Sequence, residues 1–295
     1  MQEHAPIGII AAKDALGEGI LWDFRSQVLW WTDIHGRRLH RYDWASKTAT
    51  VLETPERVGS FGLVAGSDDL ITAFESGIAL YNPYLKNATW LARPQADVKD
   101  VRFNDGRVDR RGRFWCGTMV EEGAGAASGC LYSLDKSGEL RCHVRGVQIS
   151  NGLCMSPDGS KLYFADSPSG LIHVYDLIEP QGMLGAPQRF AESPQGAVPD
   201  GATVDAEGCI WSASWGGGCV VRYTPDGRVD RTIKVPSTQP TCPCFGGPDL
   251  DLLFVTSARV GLDPETLRRE PHAGDVFVYR PGVRGLPESE YGPSS

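Results

Sequence analysis

The chain has 295 residues, 41% of them hydrophobic and 22% charged, with a formal net charge of −8. That balance belongs to an ordinary soluble globular chain with ample length for a core, and the length fits one large all-β domain or two smaller ones. The acidic balance argues against nucleic acid or an anionic membrane surface as a partner, and no apolar run reaches the length of a membrane span.

Residues 1–20 lack a basic start ahead of a sustained apolar stretch, which makes them a poor secretory signal and points to a cytoplasmic protein. Short runs rich in Val, Ile, Leu, Trp, Tyr and Phe then follow at residues 28–34, 69–75, 113–119, 161–167, 209–215 and 252–258, each with a polar turn ahead of it. Such runs read as strands in hairpins, and long amphipathic helical patterns are scarce. Aligned on turn positions Asp23, Ala65, Asp109, Ser156, Asp205 and Gly247, the units recur at separations of 42, 44, 47, 49 and 42 residues. The fifth unit is the clearest, with four strands at 201–205, 209–215, 219–224 and 229–235 divided by short turns. Four strands per unit at this period make a propeller blade. Six units therefore predict an all-β fold, a six-bladed β-propeller of four-stranded antiparallel blades, with residues 1–295 as a single domain. The first strand is expected to complete the last blade and close the ring, which removes exposed sheet edges. A β-sandwich would not explain spacing this regular. Of the eight cysteines only Cys242 and Cys244 lie close together, at a spacing that suits neither zinc nor redox chemistry, so they read as mostly buried free thiols.

In a propeller the first strand of each blade lines the central channel. Five positions before the aligned turns stand Glu18, Ser60, Asn104, Asn151, Asp200 and Cys242, all expected at one mouth of that channel. Carboxylates crowded there repel, and a bound cation relieves both the repulsion and the burial of polar groups. Glu18, Asn151 and Asp200 are the expected oxygen ligands of one divalent metal ion, with Ca²⁺, Zn²⁺, Mg²⁺ and Mn²⁺ all admissible. Ser60 and Cys242 read instead as strand caps facing channel water. Strand direction puts two long loops, 120–129 and 259–274, on the same face, so Glu121 and Glu122 are expected to overhang the site. Arg102, two residues before Asn104, falls on the same side of an extended strand. None of the six positions is His, and no nucleophile elbow, P-loop or dinucleotide fingerprint is present, so Ser–His and nucleotide chemistry are unsupported.

The stretches LGEGILWD, RFNDGRVDRRGRFWCGTMVEE, ISNGLCMSPDGSKLYFADS, VPDGATVDAEGCIWSASWGGG, CFGGPDLDLLFVTSA and EPHAGDVFVY resemble the senescence marker protein/gluconolactonase/luciferin-regenerating-enzyme family from Leu16 to Tyr279. The resemblance implies one divalent metal held by Glu18, Asn151 and Asp200, and a substrate held by Arg102, Asn104 and Glu122. It also implies hydrolysis of an aldonolactone, gluconolactone-like or a pentonolactone, to the open acid. In that chemistry the metal polarises the lactone carbonyl and Asp200 is the expected general base. Two alternatives stand beside it. A calcium-binding regulatory protein predicts tight Ca²⁺ binding without turnover. An esterase or organophosphatase predicts preference for phenyl acetate or a phosphotriester.

Overall fold

A computed structural model of the chain describes residues 5–121 and 127–292. The β-branched and aromatic runs pair into six antiparallel sheets that follow one another along the sequence. Blade 1 takes Gly17–Asp23, Val28–Asp33, Arg38–Asp43 and Thr48–Glu53. Blade 2 takes Val58–Val64, Leu70–Phe74, Gly77–Asn82 and Asn87–Ala92. Blade 3 takes Val101–Val108, Phe114–Val120, Gly129–Leu134 and Leu140–Val147. Blade 4 starts with Ser150–Met155, Lys161–Asp166 and Leu171–Ile178, and its outer edge is shared by Met183–Leu184 and Gln188–Glu192. Blade 5 takes Val198–Val204, Ile210–Trp215, Cys219–Tyr223 and Val229–Lys234. Blade 6 takes Pro240–Gly246, Leu252–Ser257 and Val276–Tyr279, and Gly8–Ile10 from the other end of the chain forms its outermost strand. The first strand of each blade packs on those of the blades before and after, so six strands form a closed ring. The fold is the six-bladed β-propeller that the repeat predicts.

The core is distributed rather than central. Among the described residues six apolar clusters are found, one between each pair of neighbouring blades. Between blades 6 and 1, for example, Trp22 stacks on Phe254 with ring centroids 6.0 Å apart. With the apolar side chains spent between the blades, the channel is left to polar ones. The repeated turn has a physical cause as well. Asp205 accepts hydrogen bonds from the backbone N–H of Glu207 and Cys209 and from Trp211 Nε1 and Arg222 Nε, at 2.9–3.0 Å. Asp109 repeats the pattern with Arg111 N, Arg113 N and Trp115 Nε1. A buried carboxylate with this many donors ties the turn to the next strand.

Residues 280–292 cross the far end of the channel as a strap. Arg284 O accepts from Ala206 N at 2.9 Å and Gly285 N donates to Leu250 O at 2.8 Å, which ties the strap to blades 5 and 6. Arg110 of blade 3 donates to Pro287 O at 3.0 Å. Glu290–Tyr291 then runs parallel to the end of Val58–Val64 in blade 2, and Glu290 pairs with Arg25 of blade 1 at 2.8 Å. All eight cysteines are free, and only Cys142 is not buried. The segment 259–274 carries the short helix Pro264–Arg269, capped by Asp263. No helix among the described residues is long and apolar enough to cross a membrane.

Candidate active site at the channel mouth

Each innermost strand loses register with its neighbour near its start. The slips fall between Glu18 and Leu21, Val58 and Ser60, Phe103 and Gly106, Asn151 and Cys154, Pro199 and Ala202, and Pro240 and Pro243. A bulge of this kind bends the strand and re-aims its side chains. It recurs at the six positions singled out from the repeat, and Glu18, Asn104, Asn151 and Asp200 are all buried there. Gly152, just after Asn151, has φ +68°, a left-handed conformation that suits glycine at the bulge. Gly201 serves a different need: a Cβ there would lie 2.6 Å from Cys242 Sγ on the neighbouring strand.

The backbone leading into these residues is held from below. Asp33 accepts from Leu16 N at 3.0 Å, two residues before Glu18, and Asp166 accepts from Ile149 N at 2.8 Å, two residues before Asn151. Ser167 Oγ donates to Pro199 O at 2.7 Å and accepts from Asn151 Nδ2 at 2.8 Å, linking the Asn151 and Asp200 strands. Asn104 Nδ2 donates to Asn151 Oδ1 at 3.0 Å and to Ser150 O at 2.9 Å. Arg102 Nη1 in turn donates to Asn104 Oδ1 at 2.8 Å. Both carboxamides are thereby oriented, and Asn151 Oδ1 keeps a lone pair for a further partner.

Glu18 and Asp200 come within hydrogen-bond reach of each other. Burial is the largest cause that holds both carboxyls above the usual carboxylate range, and the nearby charge of Asp105 adds to it. Among the described residues neither forms an ion pair, and Arg102 acts on them only at longer range. Two buried acids pressed together beside an oriented amide oxygen form an oxygen donor set of a kind that suits a divalent cation. The fit is with two carboxylates and a carboxamide. A cluster of three or more His, Cys, Asp or Glu side chains of metal-binding geometry is absent among the described residues.

The mouth opens into a pocket of about 250 Å³. Glu18, Asn151, Asp200, Arg102 and Asn104 all line it, so five of the six expected site residues converge. Glu122 lies outside the described residues. Glu121 does not overhang the pocket: its carboxylate is taken by Arg57 Nη1 at 2.7 Å and Arg102 Nε at 3.3 Å, so it holds the arginine instead. No residue of the loop 259–274 lines the pocket; the loop is tied to the segment ahead of Glu18, where Ala15 O accepts from Val260 N at 2.9 Å. A Ser–His contact exists, Ser133 Oγ to His143 Nε2 at 2.7 Å, but it sits on the outer strands of blade 3.

Two groups of residues escape the sequence reading. One is Asp105, buried at the next level down the channel, whose carboxylate accepts from Gly106 N and Leu153 N at 2.8 Å each. Its signal was the frame itself, since the matching positions in blades 1, 4 and 5 are Gly19, Gly152 and Gly201. The other is the apolar wall of Leu16, Met119, Ile149, Val198 and Trp215. The residues two before the ring of six are Leu16, Val58, Arg102, Ile149, Val198 and Pro240, which by strand alternation make an upper ring with a single charged member.

The family described as SMP-30/Gluconolactonase/LRE-like region matches residues 16–259. The chain is 38% identical over 282 residues to a 6-deoxy-6-sulfogluconolactonase of Pseudomonas putida, covering 95% of this chain and 96% of that one. It is 36% identical to an L-arabinolactonase of Azospirillum brasilense, covering 99% and 98%. Among solved structures, the calcium-binding protein regucalcin of Agrobacterium tumefaciens superposes with a TM-score of 0.91 at 33% identity, covering 97% and 98%.

Proposed function

The chain belongs to the SMP-30/gluconolactonase/LRE-like family, and from that premise we propose that it is a metal-dependent sugar lactonase, a carboxylic-ester hydrolase that opens a five- or six-carbon aldonolactone to its acid. The observation that carries this reading is the contact of Glu18 and Asp200, two buried carboxylates that form no ion pair among the described residues, beneath one arginine on an otherwise apolar lip. The likeness to two sugar lactonases supports this substrate class. Because Glu18, Asn151 and Asp200 come from blades 1, 4 and 5, the whole chain acts as one unit. The free thiols fit a reducing compartment such as the cytoplasm.

Held by Glu18, Asn151 and Asp200, a divalent cation supplies Lewis acidity for the ester carbonyl and the negative charge that develops on it. Asp200 takes the proton of the attacking water as general base. Arg102 spends Nη1 and Nε on Asn104, Phe103 O and Glu121, which leaves Nη2 as its donor toward a substrate oxygen. Asn104 has both ends of its amide engaged, so it presents the second lone pair of Oδ1 to a hydroxyl while keeping Arg102 and Asn151 in place. Glu122 completes the proposed substrate contacts. Met119, Ile149 and Trp215 exclude water from the reacting face.

The test is a pH-indicator assay over gluconolactone, galactonolactone, xylonolactone and arabinonolactone, after chelation and with single metals restored. Turnover of at least one lactone that disappears on chelation and returns with metal is the expected result; metal-independent turnover or none at all refutes it. The likeness to a calcium-binding regucalcin supports a second reading. Saturable Ca²⁺ binding without hydrolysis of any lactone in the panel would put that reading first.

A further inference from the structure

Arg107 lies on Val101–Val108 three residues beyond Asn104, roughly 10 Å deeper along the channel. Its neighbours are acidic on both sides. Asp105 stands between it and the mouth, and from the far end the strap inserts Glu288, whose Oε1 lies 2.7 Å from Arg107 Nη1. Each of the paired side chains is 14% exposed. Arg107 Nε is buried without a hydrogen-bond partner among the described residues. The voids beside the pair measure only about 10 and 20 Å³, room for single waters rather than bulk solvent.

An arginine buried beneath a cation site, with little water to screen it, opposes the binding of a second positive charge. Its guanidinium cannot shed a proton to escape the conflict. A counter-charge must come from the protein, and Asp105 alone is shared with the mouth, where its field already reaches Glu18 and Asp200. We propose that Glu288 is a positioning residue of the cation site: carried in by the strap, it neutralises Arg107 and so keeps the field of Asp105, Glu18 and Asp200 available to a divalent ion at the mouth. The strap is thus an electrostatic floor to the site as well as a seal of the far end. Glu288 touches neither substrate nor metal and acts through Arg107.

This rests on the reading of the mouth as a cation site, and calorimetric titration with Ca²⁺ and, separately, Zn²⁺ at fixed ionic strength tests the two apart. Glu288→Gln is expected to weaken cation binding about tenfold, while Arg107→Met strengthens it by a similar factor, because the two remove charges of opposite sign. The double variant returns toward wild type, and Glu288→Asp, which keeps the charge, recovers most of the affinity. Opposite signs are what a merely structural role would not give, since loosening the strap weakens binding in both single variants. If Arg107→Met fails to fold, the contrast between Glu288→Gln and Glu288→Asp carries the test alone. Equal affinity in wild type and Glu288→Gln, or shifts of one sign in both single variants, overturns the inference. A wild type that binds neither ion overturns the reading of the mouth instead.

Discussion

Asp200 near the start of the innermost strand of blade 5 and Asp205 just past its end are both buried, and the protein treats them oppositely. Asp205 at the far end is met by two backbone N–H groups, an indole and a guanidinium. Asp200 at the mouth faces Glu18, with Asp105 close enough to press on both. A buried carboxylate surrounded by donors is a fastener. One placed against another carboxylate holds a proton or takes up a cation, and the proposed function gives the pair the cation. The comparison also explains why the fold can hold such a mouth: the ties at Asp109 and Asp205, the strap and the six interblade clusters stabilise the ring away from the site.

Exchanging the two aspartates is the sharpest way to break the contrast. Asp200→Asn is expected to lower kcat by about 10³-fold or more, with a metal-free Tm above pH 8 no lower than wild type because there a repelling charge is gone. Asp205→Ala should leave KM unchanged and cost about 3 kcal/mol of stability, since the Trp211 N–H and the backbone N–H groups of Glu207 and Cys209 lose their acceptor while Arg222 keeps Glu207 and Asp230. Steady-state kinetics with thermal unfolding on both variants checks this, and reversed phenotypes would undo the division between mouth and fastener.

A gentler probe is pH. Asp200 is pushed up to about 8 and Glu18 is raised as well, both chiefly by burial. A carboxyl with a raised folded-state pKa stabilises the fold fully below its unfolded pKa near 4, and that stability is lost as pH climbs toward the folded value. The metal-free Tm should therefore fall between pH 5 and pH 8. The increment from a saturating divalent cation should grow over the same window, because the cation needs the deprotonated pair. Scanning Tm against pH with and without metal tests this, and a metal increment that is flat with pH contradicts it.

The smallest expected effect lies on the apolar lip. Trp215 lines the pocket with a large apolar surface, so Trp215→Ala should raise KM by about tenfold with kcat within about twofold, and Trp215→Phe should recover most of the loss. A fall in kcat without a change in KM would place Trp215 in the chemistry rather than in binding.

Much of this was legible in the residues. Asp109 and Asp205 recur because the turns of blades 3 and 5 use the same fastener, so part of the spacing that reveals the propeller is itself a trace of hydrogen bonding. Glu18, Asn151 and Asp200 could be found from that frame because bulges recur at one place in every innermost strand. Glu121 could not be assigned, since a loop acid turns to whichever cation is nearest, and Arg57 comes from another blade. Asp105 was hidden because adjacent residues on a regular strand face opposite ways, and only the bulge turns both toward the channel.

The sequence by itself determined the number of blades, the closure of the ring by the first strand and which polar residues share a mouth, because all three follow from period and strand direction. Only the tertiary structure decided which charges are answered. Whether Arg107 meets Glu288, or Glu18 meets Asp200, depends on distances between residues some 180 positions apart. Electrostatic pairing falls off with separation in space, and separation along the chain carries no information about it.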